Sequence, residues 1–222
     1  MAAEPLRIFF DLDGTLIDVS LRHHEVYSEI VIALGGQPLN KDAYWQHKRA
    51  KEAWPVILNL SGLSPDSSPE FLDRFIAKIE NPKYLRLDSL LPGAAEVLRE
   101  FSGKSECYLV SLRRNPENLK QEVRHLGLSK YFRKILTGHS ESDGSDKKSE
   151  LIKAELDDRD ALIIGDTEAD IKAGKILGVT TVAVLSGIRS EKFLKSVSPD
   201  YMIRSIGELP SLFISLCGSH AK

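Results

Sequence analysis

The stretch Leu6-Arg7-Ile8-Phe9-Phe10-Asp11-Leu12-Asp13-Gly14-Thr15 decides the fold. Its first half is a short, nearly continuous apolar run, the pattern of a strand buried on both faces of a parallel sheet. It stops at two carboxylates flanking Leu12, followed by Gly14-Thr15. Asp and Gly favour turns. A turn alone, however, calls for no pair of carboxylates at the end of a buried strand.

The same pattern recurs outward from that stretch. Cys107 to Val110 is a second apolar run, ending at Ser111, and Ala161 to Gly165 is a third, ending at Asp166. Val179 to Leu185 is a fourth, rich in β-branched residues, with weaker candidates at Lys134 to Leu136 and Tyr201 to Ile203. Helical patterns separate them. Pro92-Gly93 opens one running to about Ser102; Asn115 caps another, with Pro116 in its first turn and Gly127 closing it. Ser149 to Leu156, Glu168 to Leu177 and Ile206 to Leu216 supply three more, with 140–149 read as a polar loop. Strands alternating with helices predict a Rossmann-like α/β core, a parallel sheet with helices on both faces. Residues 19–88 differ, holding only helical patterns: Arg22 to Leu34, Lys41 to about Leu60 and Pro69 to Ile79. They read as an inserted all-helical cap, which leaves 1–18 and 89–222 as the core.

Composition narrows the function. Hydrophobic residues make up 42% and charged residues 28% of the 222, a globular balance, and a net charge of −2 gives no field to draw the chain to nucleic acid or an anionic membrane. No apolar stretch approaches the ~20 residues of a membrane span. The two cysteines, Cys107 and Cys217, form no zinc-ligand spacing and no disulfide framework. A cytoplasmic enzyme, monomer or homodimer, acting on a small molecule fits these traits.

Asp11, Ser111 and Asp166 each end an apolar strand. In an open parallel sheet, ligands bind beyond the carboxyl ends of the strands, so these distant residues would meet at one edge. Asp170 shares a helical face with Ala173, Gly174 and Leu177 and should point inward. If helical, the Lys147-Lys148 pair places Lys148, three and four residues before Leu151 and Ile152, on the core-facing side and turns Lys147 toward solvent.

The Asp-Leu-Asp-Gly-Thr string after a first strand resembles the signature of haloacid dehalogenase-type phosphohydrolases. The rest of that family's pattern follows in order: Ser111 after the second main strand, Lys147 or Lys148 before an apolar pair, and Gly165-Asp166-Thr167-Glu168-Ala169-Asp170 after a later strand. The helical insertion stands where the family carries its cap. The overall pattern is most similar to phosphoglycolate-phosphatase-like members.

The resemblance implies a magnesium-dependent phosphatase acting on a small phosphorylated metabolite. Asp11 would attack phosphorus and form an aspartyl-phosphate. At 4 Å, two like charges repel by about 4 kcal/mol at an effective dielectric near 20, which Mg2+ and Lys148 would offset. The metal ligands would be the carboxylates of Asp11 and Asp166, the backbone carbonyl of Asp13, and Asp170 through water. Asp13 would protonate the leaving alcohol and then activate water; Ser111 would hold a phosphoryl oxygen. Thr15, Gly14 and Arg113 are the candidate substrate-binding residues, though Arg113-Arg114 also reads as a solvated loop. The run His47-Lys48-Arg49-Ala50-Lys51 reads as a solvated face or as cap contacts to substrate, His23 and His24 as structural, and Glu168 as outside the site. The alternatives are a phosphomutase of the same family, β-phosphoglucomutase-like, and a regulatory binding protein that kept the fold without turnover.

Overall fold

The computed structural model describes residues 5–140, 144–157 and 160–219. The chain begins with β1 (Arg7–Phe10) and the short β2 (Ile17–Asp18), then enters five helices: α1 (Ser20–Ala33), α2 (Lys41–Arg49), α3 (Trp54–Leu60), α4 (Ser68–Ile79) and α5 (Pro82–Leu85). It returns through β3 (Ser89–Leu90) to α6 (Ala94–Ser102), β4 (Glu106–Ser111), α7 (Pro116–His125), β5 (Lys134–Thr137), α8 (Ser145–Lys153) and β6 (Ala161–Gly165). The last elements are α9 (Glu168–Leu177), β7 (Thr180–Val184), α10 (Glu191–Ser196), β8 (Tyr201–Ile203) and α11 (Leu209–Ser219).

Among the described residues, six strands form one parallel sheet in the order β5-β4-β1-β6-β7-β8. Alternation along β1 shows why the sheet needs helices on both sides. Ile8 and Phe10 enter one apolar cluster with Val97, Phe101, Leu119 and Val123 of α6 and α7. Phe9 enters another with Tyr108, Ile163 and Ile152 of α8. All three β1 side chains are fully buried, each contributing about 1.5–3 kcal/mol of transfer free energy. Successive residues of a strand face opposite ways, so an unbroken apolar run is stable only when both faces are covered. The fold is therefore the expected Rossmann-like one with a helical insertion.

The insertion has its own apolar centre. Val26, Tyr27, Ile30 and Val31 recur at helical spacing on α1 and pack against Tyr44, Leu58, Phe71 and Phe75. Tyr27 stacks on Tyr44 at 4.2 Å between ring centroids, and its hydroxyl hydrogen-bonds with Ser61 Oγ at 2.6 Å. The chain crosses between insertion and sheet at two points, where β2 and β3 pair antiparallel (Ile17 with Leu90, Asp18 with Ser89).

Two helix expectations are corrected. Lys41 to Leu60 is two helices, because Pro55 cannot donate the hydrogen bond a through-running helix needs; the chain turns at Lys51 (φ 57°) and restarts with Pro55 in the first turn of α3. The helix expected over Ser149 to Leu156 is Ser145–Lys153 instead. Gly144, with φ 86°, turns the chain into it, and Asp146 in its first turn suits the helix dipole. Both lysines of the pair are thus helical. Of the polar loop read at 140–149, residues 141–143 lie outside the described residues. α5, α10, β2 and β3 are too short to show a periodicity in sequence.

Candidate active site

Asp11 sits at the carboxyl end of β1, its backbone N–H bonded to Ile164 O on the neighbouring β6. Ser111 ends β4 beside it and Asp166 follows β6, so the central strands deliver all three to one edge, each buried. Lys148, on the inward face of α8, donates to Asp11 Oδ1 and to Asp170 Oδ1. Lys147 faces outward and pairs with Glu150 one turn on. Asp170 also accepts from Thr167 N (3.1 Å) and Thr167 Oγ1 (2.7 Å), closing a capping box at the start of α9.

Asp11, Asp166 and Asp170 bring carboxylate oxygens within 4.8 Å of one another. Burial and the nearby Asp170 push Asp11 up to about 7 despite the Lys148 ammonium. Asp166 is raised well above the usual range, first by burial, then by the charges of Asp11 and Asp170. Lys148 is raised as well: burial would lower it, but the two carboxylates it bridges hold its proton more firmly. One ammonium faces three carboxylates. Hard oxygen donors crowded in this way could hold a metal ion.

Backbone geometry makes room for the cluster. Gly14 has φ 81°, and a Cβ there would lie 2.2 Å from Asp166 Oδ2; one on Gly187 would lie 2.0 Å from the same atom. Ile188 N donates to Asp166 Oδ2, and Thr15 Oγ1 lies 3.5 Å from Oδ1. Gly14 and Thr15 therefore pack against Asp166 and are not among the residues that line the cavity.

Asp13 is gripped by two guanidinium groups. Its Oδ2 accepts from Arg22 Nη2 (3.1 Å) and Arg113 Nε (3.0 Å), and its Oδ1 accepts from Arg113 Nη2. Burial would raise its carboxyl, but Arg113 and Arg22 outweigh it and hold the group well below the usual carboxylate range. Arg113, 5% exposed, is no solvated residue, and its donors are spent on Asp13 and Glu122. Arg114 beside it is exposed.

A cavity of about 330 Å³ joins Asp11, Asp13, Ser111 and Lys148, with Phe75, Ile79, Leu112 and Ile188 supplying apolar wall. The insertion closes over it through its basic run. Arg49 Nη2 donates to Leu185 O (2.7 Å), Arg49 O accepts from Ser190 N (2.9 Å), and Lys51 pairs with Glu168. Arg49 and Lys51 of this run thus dock on the core, while His47 pairs with Glu52 and Ala50 stays exposed. Glu168 lines the cavity and also pairs with Arg189, which corrects its placement outside the site; its hydrogen bonds to Arg189 and Lys51 outweigh burial and lower it to about 2.

Sequence reasoning missed Arg22, Gly187, Ile188 and Arg189, while His23, read as structural, also lines the cavity. His23 had a readable signal, since it lies on the α1 face of Val26, Tyr27 and Ile30; the ring sits between Trp45 and Phe75 on the cavity wall, and burial holds it neutral. Lys48 rests on the faces of Trp54 and Phe75, at 5.0 and 5.6 Å from their centroids, and burial lowers it to about 8. Trp45 and Trp54 pack on the insertion's apolar centre.

Known proteins resemble this chain in sequence and in fold. The chain is 24% identical over 203 residues to the phosphoglycolate phosphatase of Synechococcus elongatus, covering 91% of this chain and 94% of that protein. It is 24% identical over 210 residues to pyrophosphatase PpaX of Bacillus velezensis, covering 91% and 93%. A solved haloacid dehalogenase-like family hydrolase from Streptococcus pneumoniae superposes with a TM-score of 0.75 at 22% identity, over 94% of this chain and 98% of that one, a likeness of fold. The model of the haloacid dehalogenase-like hydrolases matches residues 7–178, from β1 through α9, the span that carries every carboxylate of the cluster. On that match the chain belongs to the haloacid dehalogenase-like hydrolase family.

Proposed function

We propose that this hydrolase is a magnesium-dependent phosphatase that cleaves the monoester of a small phosphorylated metabolite through an aspartyl-phosphate on Asp11. One observation carries the reading: a buried carboxylate at the end of the central strand, bonded to one lysine, beside two further buried carboxylates. Magnesium suits that oxygen-only donor set, with Asp11, Asp166 and the Asp13 carbonyl as ligands and Asp170 acting through water. When bound it supplies positive charge opposite the phosphoryl oxygens.

Lys148 holds Asp11 Oδ1, which orients Oδ2 toward an incoming phosphorus. As the Oδ2–P bond forms, the bond from phosphorus to the ester oxygen breaks, and that oxygen takes a proton from Asp13. Asp13 begins as a carboxylate in the grip of two arginines, so this proton arrives with the substrate, whose monoanion carries one below its second pKa near 6. Asp13 then accepts a proton from water as the water oxygen attacks phosphorus and the P–Oδ2 bond breaks, releasing inorganic phosphate. The Ser111 hydroxyl and Lys148 hold phosphoryl oxygens throughout. Residues 19–88 act as a cap on the core formed by 1–18 and 89–222, and exclude bulk water when seated.

The relatives named above are phosphatases and pyrophosphatases, and their names do not favour the phosphomutase alternative. The test is phosphate release from sugar phosphates, phosphoglycolate, nucleotides and pyrophosphate with magnesium, for wild type and Asp11→Asn. Release by wild type alone supports the reading; undiminished release by folded Asp11→Asn sinks the mechanism.

A further inference from the structure

Behind Asp13 lies a second layer of charge with no part in the scheme above. Arg22, the third residue of α1, arrives from the insertion, while Arg113 follows β4 on the sheet side. Each guanidinium that grips Asp13 is held from behind by another buried carboxylate. Arg22 Nε lies 3.1 and 3.0 Å from the two oxygens of Asp88, and Arg22 Nη1 donates to Ile79 O at 3.1 Å. Arg113 Nη1 donates to Glu122 Oε2 at 2.5 Å, and its Nη2 lies 3.6 Å from Asp88 Oδ2. Arg22, Asp88, Arg113 and Glu122 are all under a tenth exposed.

This layer is costly, which argues for a use. Three carboxyl groups, Asp13 partly exposed and the other two buried, face two buried guanidinium groups, and Glu122 Oε1 has no hydrogen-bond donor among the described residues. Burial, aided by the charges of Asp13 and Glu122 and opposed by Arg22, pushes Asp88 up to about 8. Stability alone would favour apolar side chains at such positions, since a buried ion network often does no better than well-packed hydrophobic residues. What the network does supply is direction. A guanidinium is a planar fork, and fixing its far edge fixes the aim of its near edge.

We propose that Asp88 and Glu122 are positioning residues for the reaction: they aim Arg22 and Arg113 so that the Asp13 carboxylate is held where it meets the leaving oxygen. This rests on the reading of Asp13 as acid and base. Asp88 is the last residue before β3, and Arg22 lies just beyond the other crossing. The hold on Asp13 thus spans both points where the insertion joins the sheet, and one arm of the fork belongs to the insertion itself.

The experiment compares kcat and KM for p-nitrophenyl phosphate, a good leaving group, and benzyl phosphate, a poor one, with magnesium. The variants are Asp13→Asn, Asp88→Asn, Glu122→Ala and Glu122→Gln. A misplaced Asp13 hurts the poor leaving group more. The expected result is that Asp88→Asn and Glu122→Ala lower kcat for benzyl phosphate at least about 10-fold more than for the aryl ester, with KM little changed. Glu122→Gln, which keeps an acceptor for Arg113, should recover most of the loss. Equal losses on both esters, or no loss, in Asp88→Asn and Glu122→Ala while Asp13→Asn still discriminates would overturn the positioning role and leave the acid–base reading intact. If Asp13→Asn itself fails to discriminate, that reading falls and the inference with it. Should Asp88→Asn not fold, the Glu122 pair decides alone.

Discussion

The Lys148 ammonium is hydrogen-bonded to the Asp11 carboxylate, joining residues 137 positions apart in the chain. The contact forms because α8 runs back along the sheet face with Ile152 in the apolar cluster beneath β1 and β4, which turns Lys148, one turn earlier, toward the strand ends. Lys147, one position back, is rotated to the surface.

Lys148→Ala should therefore lower kcat by at least ~100-fold, the scale of losing one preorganised charge facing the transferring group. Lys147→Ala removes only a surface i,i+3 pair, worth a few tenths of a kcal/mol, and should keep near-normal specific activity. Parallel activity measurements decide it; the reverse pattern would reassign the lysine.

Asp11 makes metal-free stability pH-dependent. Its folded value near 7 lies above the ordinary 3.8, so the native state binds more protons than the unfolded chain between those values, and stability falls as pH rises through that window. Asp11→Asn has nothing to deprotonate. In chelator, the unfolding free energy of Asp11→Asn minus that of wild type should grow from pH 4 to 7 and then level off, reaching roughly a few kcal/mol at ~1.4 kcal/mol per pKa unit. The lost Lys148 contact offsets the difference by a constant, so the slope is the readout, and thermal melts at several pH values measure it.

A divalent cation should reverse that destabilisation. Magnesium at 100 times its dissociation constant adds about 2.7 kcal/mol to the folded state, which should appear as a rise in Tm in wild type and a much smaller one in Asp166→Asn. Chelator should abolish phosphate release and magnesium should restore it, with calcium restoring little because its looser coordination misplaces the reacting groups. Equal thermal shifts in wild type and Asp166→Asn would remove Asp166 from the ligand set.

Gly187→Ala probes the packing around the cluster. The added Cβ would sit 2.0 Å from Asp166 Oδ2, so the carboxylate or its loop must move. Activity should fall at least about 10-fold through misplaced metal ligation, with the far-ultraviolet circular dichroism unchanged. Unaltered kinetics would show that the loop absorbs the methyl group freely.

Local patterns in the chain determined the sheet, most of its helices and the carboxylates at its edge. A strand covered on both faces must be apolar throughout, and its end is marked where polar residues resume, so Asp11, Ser111 and Asp166 were legible along with the inward side of α8 that carries Lys148. His23 shared the apolar face of α1 and could have been read the same way. What the order of residues could not express was pairing across space. Arg113 beside Arg114 resembles any solvated loop; only the folded chain brings it against Asp13 and Glu122. Arg22 on α1 and Asp88 before β3 are 66 residues apart, and they meet because the two crossings to the insertion pair as adjacent strands. The same holds for Lys51 against Glu168 and for Gly187 against Asp166. Side-chain periodicity is set by a residue's near neighbours and survives in the sequence, whereas charge partners and close backbone approaches are set by which elements become adjacent, and that is decided only when the sheet and the insertion pack.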